Sequence, residues 1–128
     1  MLINAIVRPT LPAVDIKRAR KFYEETLGLK VVGEDPSPGI FLQAGKGSEL
    51  YIYQRSATKA DHTVISFEVK DIEAEAKELK RMGVKFEEYD IPSMGIKTVN
   101  SIATMATRKS AWFKDTEGNI LAIAQGRK

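Results

Sequence analysis

Apolar positions along the chain recur with two different periods, and each period is used twice. Between Asp15 and Gly28, the residues Ile16, Ala19, Phe22, Tyr23 and Leu27 fall three or four apart, and Ile72, Ala76, Leu79 and Met82 do the same between Asp71 and Gly83. That spacing lays one apolar stripe along a helix. The intervening Lys17, Arg20, Lys21 and Glu24, and Glu75, Lys77, Glu78 and Arg81, make a solvated outer face for each. Asp15 and Asp71 suit the start of a helix, where a carboxylate accepts from unpaired N–H groups. Gly28 and Gly83 suit its end, where the left-handed conformation closes the last turn.

The second period is the alternation of a strand. Leu50, Ile52 and Gln54, after Gly47, match Leu121, Ile123 and Gln125, after Gly118. Further strands are predicted at Ile3 to Leu11 and Thr63 to Val69 before the helices, and at Lys30 to Gly33, Ile40 to Ala44, Val84 to Tyr89 and Lys109 to Phe113 after them. The helix pattern returns after 56 residues, from Asp15 to Asp71, whereas the final-strand pattern returns after 71, from Gly47 to Gly118. The second copy therefore carries about 15 more residues, and Pro92 to Arg108 is the place for them. The expected class is α+β: two tandem βαβββ modules, residues 1–58 and 59–128, making a single domain over 1–128, with helices covering one face of each sheet.

Composition narrows the setting. In the 128 residues, 43% apolar and 29% charged side chains are the mix of a globular chain rather than a disordered or membrane one. The absence of cysteine excludes disulfides, thiolate metal sites and thiol nucleophiles. The opening run from Met1 to Arg8 is too short for a signal peptide or a membrane span, so the chain reads as cytoplasmic, with no membrane partner. Twenty basic against 17 acidic residues give a net charge of +3, but the basic residues are interspersed with acids, and no nucleic-acid partner is indicated.

The segments Leu11 to Leu29, with Phe22-Tyr23 ahead of Leu27-Gly28, and Ala111 to Gln125, with Trp112-Phe113-x-Asp115-x-x-Gly118-Asn119, resemble the two signatures of the vicinal oxygen chelate superfamily. This is the superfamily of glyoxalases, bleomycin resistance proteins and extradiol dioxygenases. The resemblance implies the glyoxalase/bleomycin-resistance fold, in which the strands of the two modules curl into a cup-shaped mixed sheet with the helices packed outside. In its metal-dependent members, His and Glu ligands come from the first and last strands of each module. The corresponding positions here are Arg8, Tyr51, Val64 and Ala122. Arginine repels a cation, and valine and alanine have no donor atom, so no metal and no other cofactor is expected.

Once these positions are placed, alternation turns Ile6, Arg8, Thr10, Tyr51, Tyr53, Val64, Ser66, Ala122 and Ala124 toward the cup, and Leu50, Ile52, Ile65, Phe67, Leu121 and Ile123 toward the helices. Arg8, Thr10, Tyr51, Tyr53, Val64, Ser66, Ala122 and Ala124 are accordingly the expected ligand contacts. Two roles stand open for Arg8: anchoring an anionic or carbonyl-bearing molecule, or pairing internally with Glu49 or Glu68. His62, the lone histidine, is the one weak candidate for acid-base catalysis, although a histidine at a strand entrance is more often merely solvated. Trp112 and Phe113 suit packing, and Asp115 to Asn119 suits a turn without calcium. The Pro92 to Arg108 segment is either a lid or dimer contact, with Met94, Ile96, Ile102 and Met105 beneath it, or a hairpin covering a sheet edge.

The function expected from these residues is binding of a small organic molecule, for sequestration or sensing, by a homodimer that lacks the usual metal ligands. The alternative is a glyoxalase-like lyase or isomerase, or a dioxygenase-like enzyme, with an unusual metal site or metal-free acid-base chemistry.

Overall fold

The computed structural model describes residues 1–126 and divides into two compact units, Met1–Thr58 and Lys59–Lys128. In the first unit, β1 (Thr10–Ala13) is followed by α1 (Ile16–Lys21), β2 (Lys30–Asp35), β3 (Gly39–Ala44) and β4 (Ser48–Gln54). Its sheet has the order β1-β4-β3-β2, with β1 parallel to β4 and the other pairs antiparallel. In the second, β5 (Thr63–Glu68) and α2 (Ile72–Arg81) precede β6 (Asp90–Ile91), β7 (Ile96–Val99), β8 (Ile102–Thr104), β9 (Lys109–Lys114) and β10 (Ile120–Gln125). Here the order is β5-β10-β9-β8-β7-β6, and β5 again runs parallel to the last strand of its unit. The architecture is thus mixed α+β. No described helix is long and apolar enough to cross a membrane.

Each helix is held where the sequence pattern places it. The Asp15 carboxylate accepts from the N–H groups of Lys17 and Arg18 at 3.1 Å, and that of Asp71 from Ala74 N–H at 3.1 Å. At the other end Gly28 and Gly83 adopt φ of 77° and 96°, the left-handed form that closes a helix. A second cap comes from the matched glutamines. Gln54 Oε1 accepts from Ile16 N–H at 3.4 Å, and Gln125 Oε1 from Ile72 N–H at 2.8 Å. Parallel pairing brings the end of the last strand beside the end of the first, where the helix begins.

The apolar stripes are buried as their spacing requires. In the first unit Ala19 and Tyr23 are covered, together with Leu11, Ala13, Ile40, Leu42, Leu50 and Ile52 from the sheet. In the second, Ile72, Ala76 and Leu79 are buried along with Ala111, Phe113, Leu121 and Ile123, while Ile65 and Phe67 are half-buried.

The chain departs from the predicted elements in three places, and at a fourth it takes one of two expected forms. The strand expected over Ile3 to Leu11 is only Thr10–Ala13, and Leu2–Asn4 form a 3₁₀ turn instead. The Thr10 to Tyr51 register explains this, because residues before Val7 would run past Ser48, where β4 begins, and find no backbone partner there. After α1 the chain widens into a π-helical turn over Phe22–Thr26, in which Leu27 N–H donates to Phe22 O at 3.0 Å. No periodic signal marks that one-residue expansion.

The third departure lies after α2, and beyond it Pro92 to Arg108 takes the hairpin form rather than that of an irregular lid. Val84 to Tyr89 forms no regular strand. The edge of β9 is divided between partners, with Lys109 and Ser110 opposite β8, while Phe86 bridges Phe113 and Glu87 N–H donates to Trp112 O at 2.7 Å. Within Pro92 to Arg108 the surplus residues make the β7–β8 hairpin, whose turn residues Asn100 and Ser101 have φ of 51° and 77°. Positive φ at both central residues matches the twist of paired strands. Glu88 secures the hairpin by accepting from Thr98 Oγ1 at 2.6 Å and from Ser101 Oγ at 3.1 Å.

The glutamine caps yield a stability prediction. Gln125→Ala removes the acceptor of a well-formed hydrogen bond and should lower unfolding free energy by about 1 kcal/mol, measured by urea denaturation. Gln54→Ala, whose bond is longer, should cost less; an equal or larger loss would show that the cap is not the stabilising contact.

Candidate functional site

Strand registers place the side chains of the first unit in rows on the sheet face opposite α1. One row is Pro12, Tyr53, Gly39 and Asp35, and the next is Thr10, Tyr51, Phe41 and Gly33. Beyond them lie Glu49, Gln43 and Lys30, with Arg8 beside Glu49 just ahead of β1. Small residues between large ones shape this surface. A methyl group at Gly39 would fall 2.5 Å from the Tyr51 hydroxyl oxygen, so the absence of a side chain there lets the Tyr51 ring lie against the β3 backbone. Phe41 packs 4.7 Å from Tyr51 between ring centres, and Tyr51 stacks with Tyr53 at 6.2 Å and 13°.

The polar groups on this face are paired in a definite way. Tyr51 donates its hydroxyl to Asp35 Oδ2 at 2.8 Å and lies 3.2 Å from Ser37 Oγ, while Ser37 N–H donates to Asp35 Oδ1 at 3.1 Å. The Tyr51 bond, followed by those from Ser37, holds the Asp35 carboxyl below its ordinary pKa, because each stabilises the anion. Arg8 uses Nε and Nη2 on Glu49 Oε1, at 3.1 and 3.0 Å, with its guanidinium carbon 5.3 Å from the centre of the Phe41 ring. Of the two roles open for Arg8, the structure supplies the internal partner, Glu49. Glu68 instead lies 3.9 Å from Arg108. A cleft of about 380 Å³ opens beside the tyrosines, lined by Thr10, Ser37, Pro38, Tyr51, Tyr53 and Gln54.

The second unit presents a different face. Ser66 pairs with Ala122, Ala122 with Trp112, and Ala124 with Ser110. Ala122 and Ala124 are buried, Ser66 is exposed, and Val64 is the extra residue of a bulge where β5 and β10 change register. The Trp112 ring lies 5.4 Å from Tyr89, whose hydroxyl pKa is raised by burial and then by the nearby Glu87 charge.

His62 is 73% exposed, and its Nδ1 sits 2.9 Å from Asp61 Oδ1, with Asp61 itself 93% exposed. A dyad so open to water has no wall against which to hold a substrate. Asp115 caps its own turn, accepting from the N–H groups of Glu117 and Asn119 at 2.8 Å and from Asn119 Nδ2 at 2.8 Å. Among the described residues no three His, Asp or Glu side chains converge in a way that could hold a metal ion. The sequence reading missed Phe41, Asp35, Ser37 and Gly39, which lie on β3, on β2 and in the turn between them. Alternation from Tyr51 across the sheet would have found Phe41, but only the strand register reveals the others.

Comparison with known proteins adds a family and a fold. The family model for the Glyoxalase/Bleomycin resistance protein/Dioxygenase superfamily matches residues 3–123. Among solved structures, the chain is similar to TnmS3, an antibiotic binding protein from Streptomyces sp. CB03234, with 18% identity, a TM-score of 0.75 and 98% of each chain covered. It is also similar to the genomically encoded fosfomycin resistance protein FosX from Listeria monocytogenes, with 16% identity, a TM-score of 0.73, and 97% of this chain and 92% of that one covered. A glyoxalase family protein from Enterococcus faecalis shares 20% identity with a TM-score of 0.70 over 98% of this chain and 100% of its own. At such identities the likeness is one of fold. No curated protein matches the chain.

The Tyr51 and Asp35 contact can be tested by titration. Replacing Tyr51 with Phe removes the strongest bond to the carboxylate, so the pKa of Asp35 should rise toward its ordinary value in carboxyl-carbon NMR. The contact favours the folded state above the ordinary carboxylate pKa, and this contribution is lost as pH falls through the depressed value. The stability gap between wild type and variant should therefore narrow on acidification. An unmoved Asp35 pKa would remove Tyr51 as its cause.

Proposed function

Because the chain belongs to the Glyoxalase/Bleomycin resistance protein/Dioxygenase superfamily, we propose that it binds a small organic molecule without a metal ion, sequestering or sensing it. The observation that carries this reading is the stacked wall of Phe41, Tyr51 and Tyr53 beside an open cleft. Aromatic faces with a few fixed polar groups are the usual lining of a small-molecule site. The Tyr53 hydroxyl has no hydrogen-bond partner among the described residues and is free to meet a ligand. TnmS3, described as an antibiotic binding protein, supports binding by analogy.

Donor chemistry supports the metal-free part. At the four positions implied for ligands, Arg8 is a cation engaged by Glu49, the Tyr51 hydroxyl donates to Asp35, and Val64 and Ala122 carry no donor. Such a set does not fit a divalent ion. The proposed contacts are Arg8, Thr10, Tyr51 and Tyr53 in the first unit, with Val64 and Ser66 at the counterpart positions of the second; Ala122 and Ala124, expected as contacts, are 3% and 0% exposed and offer a ligand no surface. A homodimer belongs to the same proposal. Leu2, Ile3, Ile6 and Val7 are 81 to 93% exposed, an apolar segment that a second copy would cover.

Three measurements test the proposal. Protein purified without chelator should contain no stoichiometric metal, and zinc, nickel, iron or manganese should leave its Tm unchanged; one bound equivalent of any of them would overturn the metal-free reading. Compounds found in a ligand screen should bind about three- to tenfold more weakly to Tyr53→Ala, as loss of one stacking wall requires. Hits indifferent to both Tyr53→Ala and Thr10→Val would remove the cleft from the site. Analytical ultracentrifugation should show a dimer, and Ile3→Ser with Val7→Ser should shift it toward monomer.

A further inference from the structure

The charges near the cleft are unevenly placed. None of its lining residues is an Asp, Glu, Lys, Arg or His. On the same face, Arg8, Glu49 and Lys30 gather in the row farthest from Asp35, and the Arg8 charge is opposed at 3.0 Å by Glu49. Strand rise puts the Lys30 row about 13 Å from Asp35, farther than charges act through physiological salt. Arg55, just beyond β4, turns its Nε to the Ser56 carbonyl. Asp35 has no ion pair among the described residues, and it is tied to the cleft through two lining residues, Tyr51 and Ser37. Two hydrogen-bond donors already fix the orientation of its carboxylate, so its remaining lone pairs are aimed without further ordering.

We infer that the cleft selects flat aromatic compounds carrying a positive charge, with the ring system stacked on Tyr53 and Tyr51 and the cationic group at the Asp35 carboxylate. This rests on the binding proposal above and assigns its ligand class. It gives Arg8 the opposite role to an anion anchor. With its charge opposed by Glu49 and its guanidinium over Phe41, Arg8 stiffens the far end of the aromatic wall.

Two planar tricyclic dyes of similar size separate the possibilities: cationic proflavine and anionic anthracene-9-carboxylate, titrated by fluorescence against the full chain at physiological ionic strength, where charges a Debye length away are screened. Proflavine should bind at least roughly fivefold more tightly, the effect of one close opposite charge at a solvated surface. Asp35→Asn should abolish that preference, whereas Tyr51→Phe, which keeps the carboxylate, should retain it. Lys30→Gln, in the row farthest from Asp35, should leave proflavine binding unchanged. Amide chemical-shift changes in wild-type protein should centre on Ser37, Gly39, Tyr51 and Tyr53, a readout that does not depend on any variant folding. Tighter binding of the carboxylate, a preference indifferent to Asp35→Asn, or shifts centred elsewhere would overturn the inference while leaving the binding proposal standing. A protein that binds neither dye yet binds neutral compounds from the screen would do the same, and one that binds nothing would overturn both.

Discussion

Parallel pairing of the first strand with the last, in the register Thr10 to Tyr51, is the constraint from which the first unit's chemistry follows. A strand has a period of two, so one register decides the face of every side chain on both strands. Here it sends Leu11, Ala13, Leu50 and Ile52 under the helix and leaves Thr10, Tyr51 and Tyr53 on the other side. The same pairing brings Gln54 to the start of α1, where its amide oxygen meets Ile16 N–H, and in the second unit it brings Gln125 to Ile72. A glutamine at the end of the last strand thus ties sheet to helix in both units. A slip of one residue would break the cap and turn the aromatic wall inward.

On the outward face the arrangement depends on what is missing as much as on what is present. Gly39 lies where any side chain would strike Tyr51, and Phe41 lies alongside Gly33. Large rings therefore settle against backbone and stack on one another, and the Tyr51 hydroxyl reaches the Asp35 carboxylate across the sheet. Charge is segregated along the strands, with Arg8 answered by Glu49 at one end and Asp35 standing, among the described residues, without a cation at the other. An exposed pair such as Arg8 and Glu49 adds at most about 1 kcal/mol to stability. Its larger effect is to cancel a charge that would otherwise dominate the surface.

The two units share a plan and differ in execution. The first closes its helix with a π turn that buries Tyr23, and the second keeps a regular helix. The second adds the β7–β8 hairpin, held by Glu88, and changes register where Val64 bulges from β5. Its face carries Ala122 and Ala124 under cover rather than open aromatics. The two units thus share the caps and cores, which folding needs, and differ on their exposed faces.

The amino-acid sequence by itself determined the α+β class, the doubled module, both helix boundaries through Asp15, Gly28, Asp71 and Gly83, and the inward and outward sets of β4. Those features rest on local periodicity and capping, which are written within a few residues of one another. It also named Arg8 and Tyr51 as the residues standing at the implied ligand positions, because an internal repeat carries its own alignment. The length of β1, the split edge of β9, the hairpin, and the company of Tyr51 with Asp35, Ser37 and Gly39 were decided only by tertiary structure. Each depends on which backbone is left to pair with which, and on how far a ring can reach across neighbouring strands. Such facts belong to the register between distant segments and have no periodic trace in any one of them.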